Sequence, residues 1–425
     1  MVIRVELDEG GVVRVVGPAR LRVEEGLVTI LGAEYGAGEE VELPRYRSFS
    51  VLASRASRLS LALQGGGSLE EPLEGEEVVE EWLEAADKLA GSGSVMVVGP
   101  TDAGKTSFTI TLLNRGLAAG RSPAVIDADV GQADVGPPGF VSGSLVASKL
   151  VSLRQLWAEH LHFVGSVTPS RLEQRIVGGI VDLYWRLRSR GAGLIVVDTD
   201  GWTSSLQALE YKAEACRSIG CGAAVCIGCS GELADVFERV FSFTETLRLP
   251  SPAVRRERGP GERRELRREG YARYLSGARE VTLGLDSVSI LGSCLFSGRM
   301  LTREEVEELS RLLGVKVIAA SITMDSVYVY YEGGEPGRED LAAASAVYGG
   351  RHIYLYRRGC EENTLAAVLA EPGREEPALL KSIDFENNRL TILTRHEGEV
   401  KTIILGLVKL REDFEEAGRV SRCVL

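Results

Sequence analysis

At residues 95–107 the sequence reads Val-Met-Val-Val-Gly-Pro-Thr-Asp-Ala-Gly-Lys-Thr-Ser. Four apolar residues typical of a buried strand lead directly into residues 99–106, which fit the P-loop spacing G-x-x-x-x-G-K-[ST]. Residues 107–119 follow with the apolar spacing of a helix, so strand, glycine-rich turn and helix come in the order that this motif requires. The sequence therefore predicts a binding site for nucleotide phosphates.

The P-loop positions have separate physical tasks. Gly99 and Gly104 allow backbone angles that turn successive N–H groups toward a phosphate. Lys105 is expected to reach the β- and γ-phosphates, and the Thr106 hydroxyl is expected to coordinate Mg²⁺. The residues expected to contact the nucleotide are Gly99, Thr101, Asp102, Ala103, Gly104, Lys105, Thr106 and Ser107.

Composition sets the broad class of the protein. The chain has 425 residues, 44% of them hydrophobic and 26% charged, which predicts a globular protein of two or three domains. Its net charge of −12 argues against a protein that coats nucleic acid with its whole surface, but not against a local basic groove. Neither a signal peptide nor an apolar run of membrane length is evident, so we expect no membrane contact and a cytoplasmic, soluble intracellular location.

The pattern of secondary structure changes twice along the chain. Residues 1–75 alternate short β-like segments with glycine-rich turns, which predicts a small antiparallel β domain that ends in a linker at residues 65–77. Residues 76–284 alternate strands with helices, as in a mostly parallel sheet covered on both faces. Residues 285–425 predict a third, β-rich domain with some helix. The fold class expected is therefore α/β, with a central P-loop domain between two β domains.

Carboxylates follow two of the predicted strands. Asp127 and Asp129 come after residues 123–126, and in an extended segment their side chains would point the same way, beside the P-loop. Asp198 ends the apolar run at 194–197 in the manner of a Walker B segment. Such acids suit Mg²⁺ coordination or removal of a proton from an attacking hydroxyl, and the sequence leaves open which acid does which. The alternative for Asp127 and Asp129 is a turn capped by aspartate, the role also expected of Asp134.

Two further loops follow strands at the same sheet edge. Trp202, next to Gly201, is placed to stack on a nucleobase, although a core tryptophan is the alternative. Thr168 and Pro169 precede Ser170-x-x-Glu173, which has the spacing of a capping box that opens a helix. Hydroxyl groups and free N–H groups there would suit an anion, but most such caps are only caps.

An arginine-rich insert and a cysteine cluster complete the pattern. Residues 248–279 contain ten Arg against four Glu, centred on a predicted lid at about 255–275, and this density suits phosphate binding. The alternative is a solvated helix with Glu–Arg pairs. Among Cys216, Cys221, Cys226 and Cys229, the last two would point to opposite faces of a strand at 223–229, which favours buried thiols over a zinc site.

These motifs together resemble the Clp1/Grc3 type of polynucleotide 5′-hydroxyl kinase. In chain order they are Gly-Pro-Thr-Asp-Ala-Gly-Lys-Thr at 99–106, Asp-Ala-Asp-Val-Gly-Gln at 127–132 with Gly-Pro-Pro at 136–138, Thr-Pro at 168–169, Asp-Thr-Asp-Gly-Trp at 198–202, and an insert that ends in Tyr-Ala-Arg-Tyr-Leu-Ser-Gly at 271–277. A weaker likeness extends to residues 382–394. The resemblance implies a kinase domain between two β-rich domains, ATP and Mg²⁺ as cosubstrates, a 5′-hydroxyl end of RNA or DNA as acceptor, and RNA-processing proteins as partners.

The resemblance also implies roles for individual residues. Asp129 would be the general base, and Gln132 would help to place the reacting groups. Thr168 and Pro169 would form a clasp near the acceptor, and Trp202 would contact its terminal nucleotide. Lys105, Arg258 and Arg263 would bind phosphate. The candidate ligands of Mg²⁺ would be Thr106, Asp127 and Asp198.

The chain departs from this family pattern at two places. Gly-Pro-Gly at 259–261 would interrupt a helix between the two lid arginines. Asp198 stands where many relatives have a neutral residue, so the choice of metal ligand stays open. A catalytically weak ATP-binding scaffold in an RNA-processing complex is the alternative function, but a scaffold needs no general base. A kinase of a small metabolite would leave Trp202 and the basic insert without a task.

Overall fold

The computed structural model describes residues 2–73, 75–254, 257–371 and 373–419. The chain divides into two compact units, one of Met1–His162 with Thr168–Leu266 and one of Phe163–Val167 with Arg267–Leu425. Helices and several sheets together place the protein in the α/β class that the sequence predicts. No helix among the described residues combines the length and the apolar composition that a bilayer crossing requires.

The first unit opens with an antiparallel sheet whose inward-facing side chains share one apolar core. The strands are β1 (Val2–Leu7), β2 (Val12–Val16), β3 (Ala19–Ile30), β4 (Ala33–Gly36), β5 (Glu40–Leu43), β6 (Ser48–Leu63) and β7 (Ser68–Glu70). The pairing of β3 with β6 and of β1 with β6 confirms the predicted antiparallel arrangement. Strands β3 and β6, with 12 and 16 residues, are longer than the short β-like segments that the sequence predicts.

The linker predicted at residues 65–77 is wrong for much of that segment. Strand β7 pairs with β2, and the acidic residues that follow bind a buried arginine of β2. Arg14 donates hydrogen bonds to Glu70 (3.2 Å), Glu76 (3.1 Å) and Glu77 (2.7 Å). The acidic composition, which suggested a solvated linker, instead supplies the counter-charges of one guanidinium.

The mostly parallel sheet lies next along the chain. Its elements are α1 (Val79–Leu89), β8 (Ser94–Val98), α2 (Lys105–Ala118), β9 (Pro123–Asp127), β10 (Phe140–Leu145), β11 (His160–Phe163), α3 (Glu173–Ser189), β12 (Leu194–Asp198), α4 (Leu206–Ile219), β13 (Ala223–Ile227), α5 (Glu232–Val240), β14 (Glu245–Leu249) and α6 (Pro260–Leu275). The strand order is β11-β10-β9-β12-β8-β13-β14. The strands from β9 to β14 in this order are parallel, and β10, which the sequence did not indicate, is antiparallel to β9.

This strand order positions the functional loops. Strands β9, β12 and β8 are neighbours and are buried along their whole length, so their carboxyl ends meet at one edge of the sheet. The P-loop leaves β8 there, the loop with Asp129 leaves β9, and the loop with Trp202 leaves β12. Ligands of open α/β sheets bind at this edge, outside the carboxyl ends of the strands.

The predicted strand at 223–229 is too long, and its end changes the cysteine prediction. Strand β13 stops at Ile227, and Gly228 turns the chain with a φ of +69°. Cys226 and Cys229 therefore do not lie on opposite faces of a strand but form a disulfide with a Cα–Cα distance of 5.8 Å. Cys216 and Cys221 are buried free thiols. The described residues contain no cluster of side chains suited to a protein-held metal ion such as zinc.

The second unit contains two further sheets. Its elements are β15 (Arg279–Gly284), β16 (Ser289–Leu291), β17 (Arg299–Met300), α7 (Arg303–Leu313), β18 (Lys316–Ile322), β19 (Ser326–Glu332), α8 (Arg338–Val347), β20 (His352–Arg357), β21 (Thr364–Glu371), β22 (Arg374–Asp384), β23 (Arg389–Thr394), β24 (Thr402–Leu410) and β25 (Glu416–Arg419). One sheet has the order β15-β23-β22-β21-β24-β16, and the other has the order β17-β18-β19-β20. The sequence predicted the β-rich character with some helix, but it did not indicate β15, β21, β22 or α8.

Candidate active site

The P-loop connects β8 to α2 through two glycines with positive φ. Gly99 has a φ of +151° and Gly104 a φ of +105°. A Cβ atom on Gly104 would lie 2.6 Å from the ring of Trp82 on α1, and one on Gly99 would collide with the carbonyl oxygen of Ile227. The loop is thus enclosed between α1 and β13, which leaves no room for a side chain at either glycine.

The first turn of α2 carries the two residues expected to act on phosphate and metal. Lys105 is buried, and its Nζ donates a hydrogen bond to the carbonyl oxygen of Pro100 (2.8 Å). The Thr106 hydroxyl donates to Oδ2 of Asp198 (2.7 Å). Together with the N-terminal N–H groups of α2, these side chains form a cationic cradle beside one carboxylate.

Asp198 lies at the end of β12 and uses only one of its carboxylate oxygens, Oδ2, in the hydrogen bond with Thr106. Among the described residues its buried Oδ1 has no hydrogen-bond partner. Burial raises the pKa of Asp198 to about 7, although the hydrogen bond from Thr106 and the charge of Lys105 act in the opposite direction. A buried acid with a free oxygen next to a P-loop threonine is a suitable ligand for a divalent cation.

Asp127 has a different environment from the one predicted. Its Oδ2 accepts the N–H groups of Asp134 (2.7 Å) and Val135 (2.9 Å), and its Oδ1 accepts the N–H of Asp129 (3.2 Å). Burial, followed by the charges of Asp198 and Asp134, raises the pKa of Asp127. The expectation that Asp127 and Asp129 continue one extended segment is wrong, because β9 ends at Asp127 and its carboxylate turns the chain.

Asp129 lies in the turn that follows. Its Oδ1 accepts the N–H groups of Gly131 (3.0 Å) and Gln132 (2.8 Å). Burial and then the charge of Asp200 raise the pKa of Asp129, while the charge of Lys105 lowers it, so this acid lies within electrostatic reach of the P-loop lysine. Within the described chain, Oε1 of Gln132 is buried without a hydrogen-bond partner. The loop thus presents a carboxylate and an amide oxygen near the cradle.

The loop with Trp202 is built on a buried network that the sequence did not reveal. Asp200 accepts the N–H of Trp202 (2.8 Å), the Nζ of Lys212 (3.1 Å) and the hydroxyl of Tyr211. The Lys212 Nζ also donates to the Trp202 carbonyl oxygen (2.7 Å). The half-buried Trp202 ring stacks on Tyr211, with ring centroids 6.2 Å apart. In the sequence, the two acids Asp198 and Asp200 at the end of one strand were the only indication that a cation such as Lys212 lies nearby.

The clasp loop lies half-buried at Thr168 and Pro169. The predicted capping box at Ser170 is wrong: α3 begins at Glu173 after Leu172, without a side-chain cap. Oε1 of Glu173 instead accepts the N–H of Arg171 (3.1 Å) and the Nε2 of Gln207 on α4 (2.8 Å). Because Arg171 has a φ of +72°, the chain turns too early for Ser170 to cap the helix.

The arginine-rich insert contacts the P-loop. Arg263 donates to Oδ2 of Asp102 (2.6 Å), and Arg258 lies where burial and the charge of Arg47 lower its pKa while Asp134 and Asp102 oppose the shift. As the Gly-Pro-Gly sequence predicts, no continuous helix joins Arg258 to Arg263, because α6 begins at Pro260, where proline suits the first turn. Arg258 therefore precedes the helix and Arg263 lies on it. Arg255 and Arg256 of the insert lie outside the described residues.

Asp134 forms the centre of an arginine cluster that sequence reasoning missed. This buried carboxylate accepts hydrogen bonds from Arg47, which follows β5, and from Nε of Arg154 (2.9 Å) in the 3₁₀ helix Leu153–Gln155. Burial alone would raise the pKa of Asp134, but the charges of Arg47, Arg154 and Arg258 lower it to about 2. Residues from three separate segments thus concentrate positive charge next to the P-loop.

A family of known proteins matches the part of the chain that contains these site residues. The sequence matches the family described as mRNA cleavage and polyadenylation factor CLP1 P-loop over residues 99–277, which include the P-loop, the acidic loop and the lid. Residues 99–277 of this chain are therefore similar to the Clp1-type P-loop family.

Several proteins of known name are similar to this chain over much of its length. It is 28% identical over 345 residues to the polyribonucleotide 5′-hydroxyl-kinase of Pyrococcus abyssi, a match that spans 80% of this chain and 94% of that protein. It is 30% identical over 197 residues to the human polyribonucleotide 5′-hydroxyl-kinase Clp1, which is 44% of this chain and 45% of that protein. Clp1p in its complex with Pcf11p has the same fold, with a TM-score of 0.62, 14% identity, and coverage of 96% of this chain and 98% of that chain.

Proposed function

We propose that this chain is an ATP-dependent polynucleotide 5′-hydroxyl kinase that transfers the γ-phosphoryl group of ATP to the 5′-hydroxyl end of RNA or DNA. The observation that carries the proposal is that Asp129 lies within electrostatic reach of the P-loop lysine, while a lid arginine binds the same P-loop at Asp102. Phosphoryl transfer needs a base, a phosphate-binding loop and a cationic side chain that stabilises the transferred group. The names of the archaeal and human relatives support the same reaction.

Thr106 and Asp198 fit a Mg²⁺ ion. Both present oxygen atoms, they are in contact, and in the described part of the chain Oδ1 of Asp198 has no other partner. Mg²⁺ in such sites takes one or two protein oxygens and completes its shell with phosphate and water. When bound, it would neutralise charge on the β- and γ-phosphate oxygens. Asp127, whose two oxygens accept backbone N–H groups, is assigned to hold the acidic loop.

The remaining residues divide the chemical work. Asp129 accepts the proton of the attacking 5′-hydroxyl, and Gln132 orients that hydroxyl through its amide. Lys105 and the P-loop N–H groups, together with Arg258 and Arg263, stabilise the charge that develops on the transferred group. In this arrangement Asp129, Lys105, Arg258 and Arg263 all take part in one in-line transfer of the γ-phosphoryl group.

The acceptor strand is held by two loops at the same sheet edge. Trp202 stacks on the terminal base, and Thr168 with Pro169 closes around the terminal nucleotide. A stacked base and backbone phosphates give little sequence discrimination, because every base has a π-face and every phosphate the same charge. The kinase should therefore accept ends of different sequence.

A catalytically weak ATP-binding scaffold is the second candidate. Its support is the shared fold with Clp1p, which has been solved in complex with Pcf11p, so protein partners are a reasonable expectation for this chain. A scaffold would retain the nucleotide cradle, but it would have no use for Asp129 beside it.

The deciding experiment supplies γ-labelled ATP, Mg²⁺ and a 5′-hydroxyl oligonucleotide, as RNA and as DNA. Asp129→Asn and Lys105→Ala should each lower transfer by about 10²- to 10⁴-fold, the range for loss of a positioned acid–base group or of charge stabilisation. Asp235→Asn, an equal change at an exposed position of α5, should leave the rate unchanged. Binding of ATP without transfer to either acceptor would favour the scaffold.

A further inference from the structure

One loop of the N-terminal sheet contacts the lid helix. The loop between β5 and β6 carries Tyr46, whose hydroxyl donates to Oε2 of Glu265 on α6 (2.9 Å), and Arg45, whose Nη2 donates to Oε1 of the same carboxylate (3.2 Å). The Arg45 guanidinium also lies over the Tyr46 ring, 4.8 Å from its centroid. Both oxygens of one lid carboxylate are thus bound by two adjacent residues of a loop in the N-terminal sheet.

The backbone of this loop is strained at the contacting residue. Tyr46 has a φ of +64°, in the left-handed region that a side chain with a Cβ disfavours. Such conformations persist where the surroundings fix them, and they are concentrated at ligand clamps and switch regions. With this backbone conformation, the Tyr46 hydroxyl reaches Glu265 on α6.

The same stretch of α6 also holds a catalytic arginine. Arg263 lies two residues before Glu265, and side chains two apart on a helix point about 200° apart. One side of α6 therefore binds Asp102 of the P-loop through Arg263, and the other side binds the β5–β6 loop through Glu265. Arg154 adds a third attachment, because its Nη2 donates to the carbonyl oxygen of Leu266 (3.1 Å). Moving the Glu265 side would move the Arg263 side with it.

We propose that Arg45 and Tyr46 are positioning residues of the kinase, which dock Glu265 and thereby hold Arg258 and Arg263 over the P-loop. This inference rests on the proposed function, since it assigns the lid arginines to phosphoryl transfer. The N-terminal sheet then contributes to catalysis through the lid. Neither Arg45 nor Tyr46 needs to touch a substrate for this role.

The first test measures the lid without relying on catalysis. Trypsin cleavage after the arginines between 255 and 268, followed by mass spectrometry of the full-length protein, reports how often α6 leaves its place. Tyr46→Phe and Glu265→Gln should each speed this cleavage by about two- to fivefold, since partly exposed contacts of this kind are weak. Glu40→Gln is the matched control, because Glu40 pairs with Arg22 (2.9 Å) in the same sheet and does not touch the lid.

The second test separates docking from general stability. Both variants should lower kcat and change the KM for ATP less. The double variant should be no worse than Glu265→Gln alone, because that substitution already weakens the contacts of both Tyr46 and Arg45. Unchanged lid cleavage in both variants overturns the proposal, and so does cleavage that rises equally in the second unit, which would mean global unfolding. Faster lid cleavage in a protein that transfers no phosphate would refute the kinase and leave the docking contact in place.

Discussion

Among single residues, Lys212 shows how much of the site depends on buried charge. It lies on α4 with no exposed surface, and its Nζ donates to Asp200 (3.1 Å) and to the Trp202 carbonyl oxygen (2.7 Å). Burial lowers the pKa of Lys212, and the charge of Asp200 opposes that shift. The ammonium group therefore neutralises Asp200 and fixes the loop that presents Trp202.

Removing this cation should leave Asp200 as an uncompensated buried charge. We expect Lys212→Met to lower the free energy of unfolding by about 3–5 kcal/mol, as measured by urea denaturation. Lys88→Met, which removes an exposed ion pair with Glu245 (2.7 Å), should change it by less than about 1 kcal/mol. An equal effect of the two substitutions would mean that Asp200 takes up a proton or finds water when Lys212 is lost.

Local sequence patterns were enough to locate some of the candidate site residues, whose roles stay predictions. The P-loop residues follow from one continuous motif, and the position of Asp198 follows from the end of an apolar strand. Lys212 and Tyr211 could not be predicted in the same way. A lysine on an amphipathic helix is normally expected at the surface, and only the structure shows that both residues contact Asp200. Asp127 shows the reverse error, since its predicted direction assumed that β9 continued for two more residues.

Among the helices and strands, α1 supports the P-loop, because its Trp82 packs against Gly104. Trp82 on this helix contacts Gly104, packs edge-to-face against Phe108 on α2 with centroids 5.7 Å apart, and donates its indole N–H to the Pro250 carbonyl oxygen (2.9 Å). The helix thus fixes the P-loop, the start of α2 and the segment that leads to the lid. An amphipathic helix outside the motif sets the shape of the phosphate cradle.

A smaller side chain on α1 should weaken this support. Trp82→Phe removes the indole hydrogen bond and part of the contact with Gly104. We therefore expect ATP affinity to fall by about five- to thirtyfold, in line with about 1–2 kcal/mol for a lost buried hydrogen bond and packing. Isothermal titration with ATP measures the change. Trp185→Phe, at a tryptophan that is 61% exposed on α3, should leave the affinity unchanged. A similar loss in both variants would show that the effect does not pass through the P-loop.

Element-level prediction followed the strength of the apolar pattern. Strands β8, β9 and β12 are continuous apolar runs, and they were predicted to within two residues. Strand β10 (Phe-Val-Ser-Gly-Ser-Leu) is broken by small polar residues. Strand β6 loses the alternation of apolar and polar residues at Ala-Ser-Arg-Ala-Ser-Arg (residues 53–58), so neither strand gave a clear period. Burial of Ser142 and Ser144 in β10 depends on tertiary neighbours, which the sequence does not specify.

For the whole molecule, charge distribution is the property that most constrains how nucleic acid binds. The chain carries a net charge of −12, yet Arg47, Arg154 and Arg258 act together on Asp134 next to the P-loop. Their positions in the sequence lie far apart, so no local pattern could have predicted the cluster. An acidic protein with such a basic cluster should repel a long polyanion except where its end enters the cluster.

This distribution predicts a shallow salt dependence for the binding of a single-stranded acceptor. Two to four phosphate contacts would give a slope of log K against log salt of about −1.4 to −2.8, because each contact contributes about −0.7 on single strands. Arg258→Gln should make the slope less steep by about 0.7 if that arginine binds a phosphate of the acceptor, whereas Arg303→Gln, at an exposed position of α7, should leave it unchanged. Fluorescence anisotropy of a labelled 5′-hydroxyl oligonucleotide across a salt series measures both slopes. A slope steeper than about −5 would require seven or more contacts on this scale, and would mean that the strand runs along an extended surface instead of entering one site by its end.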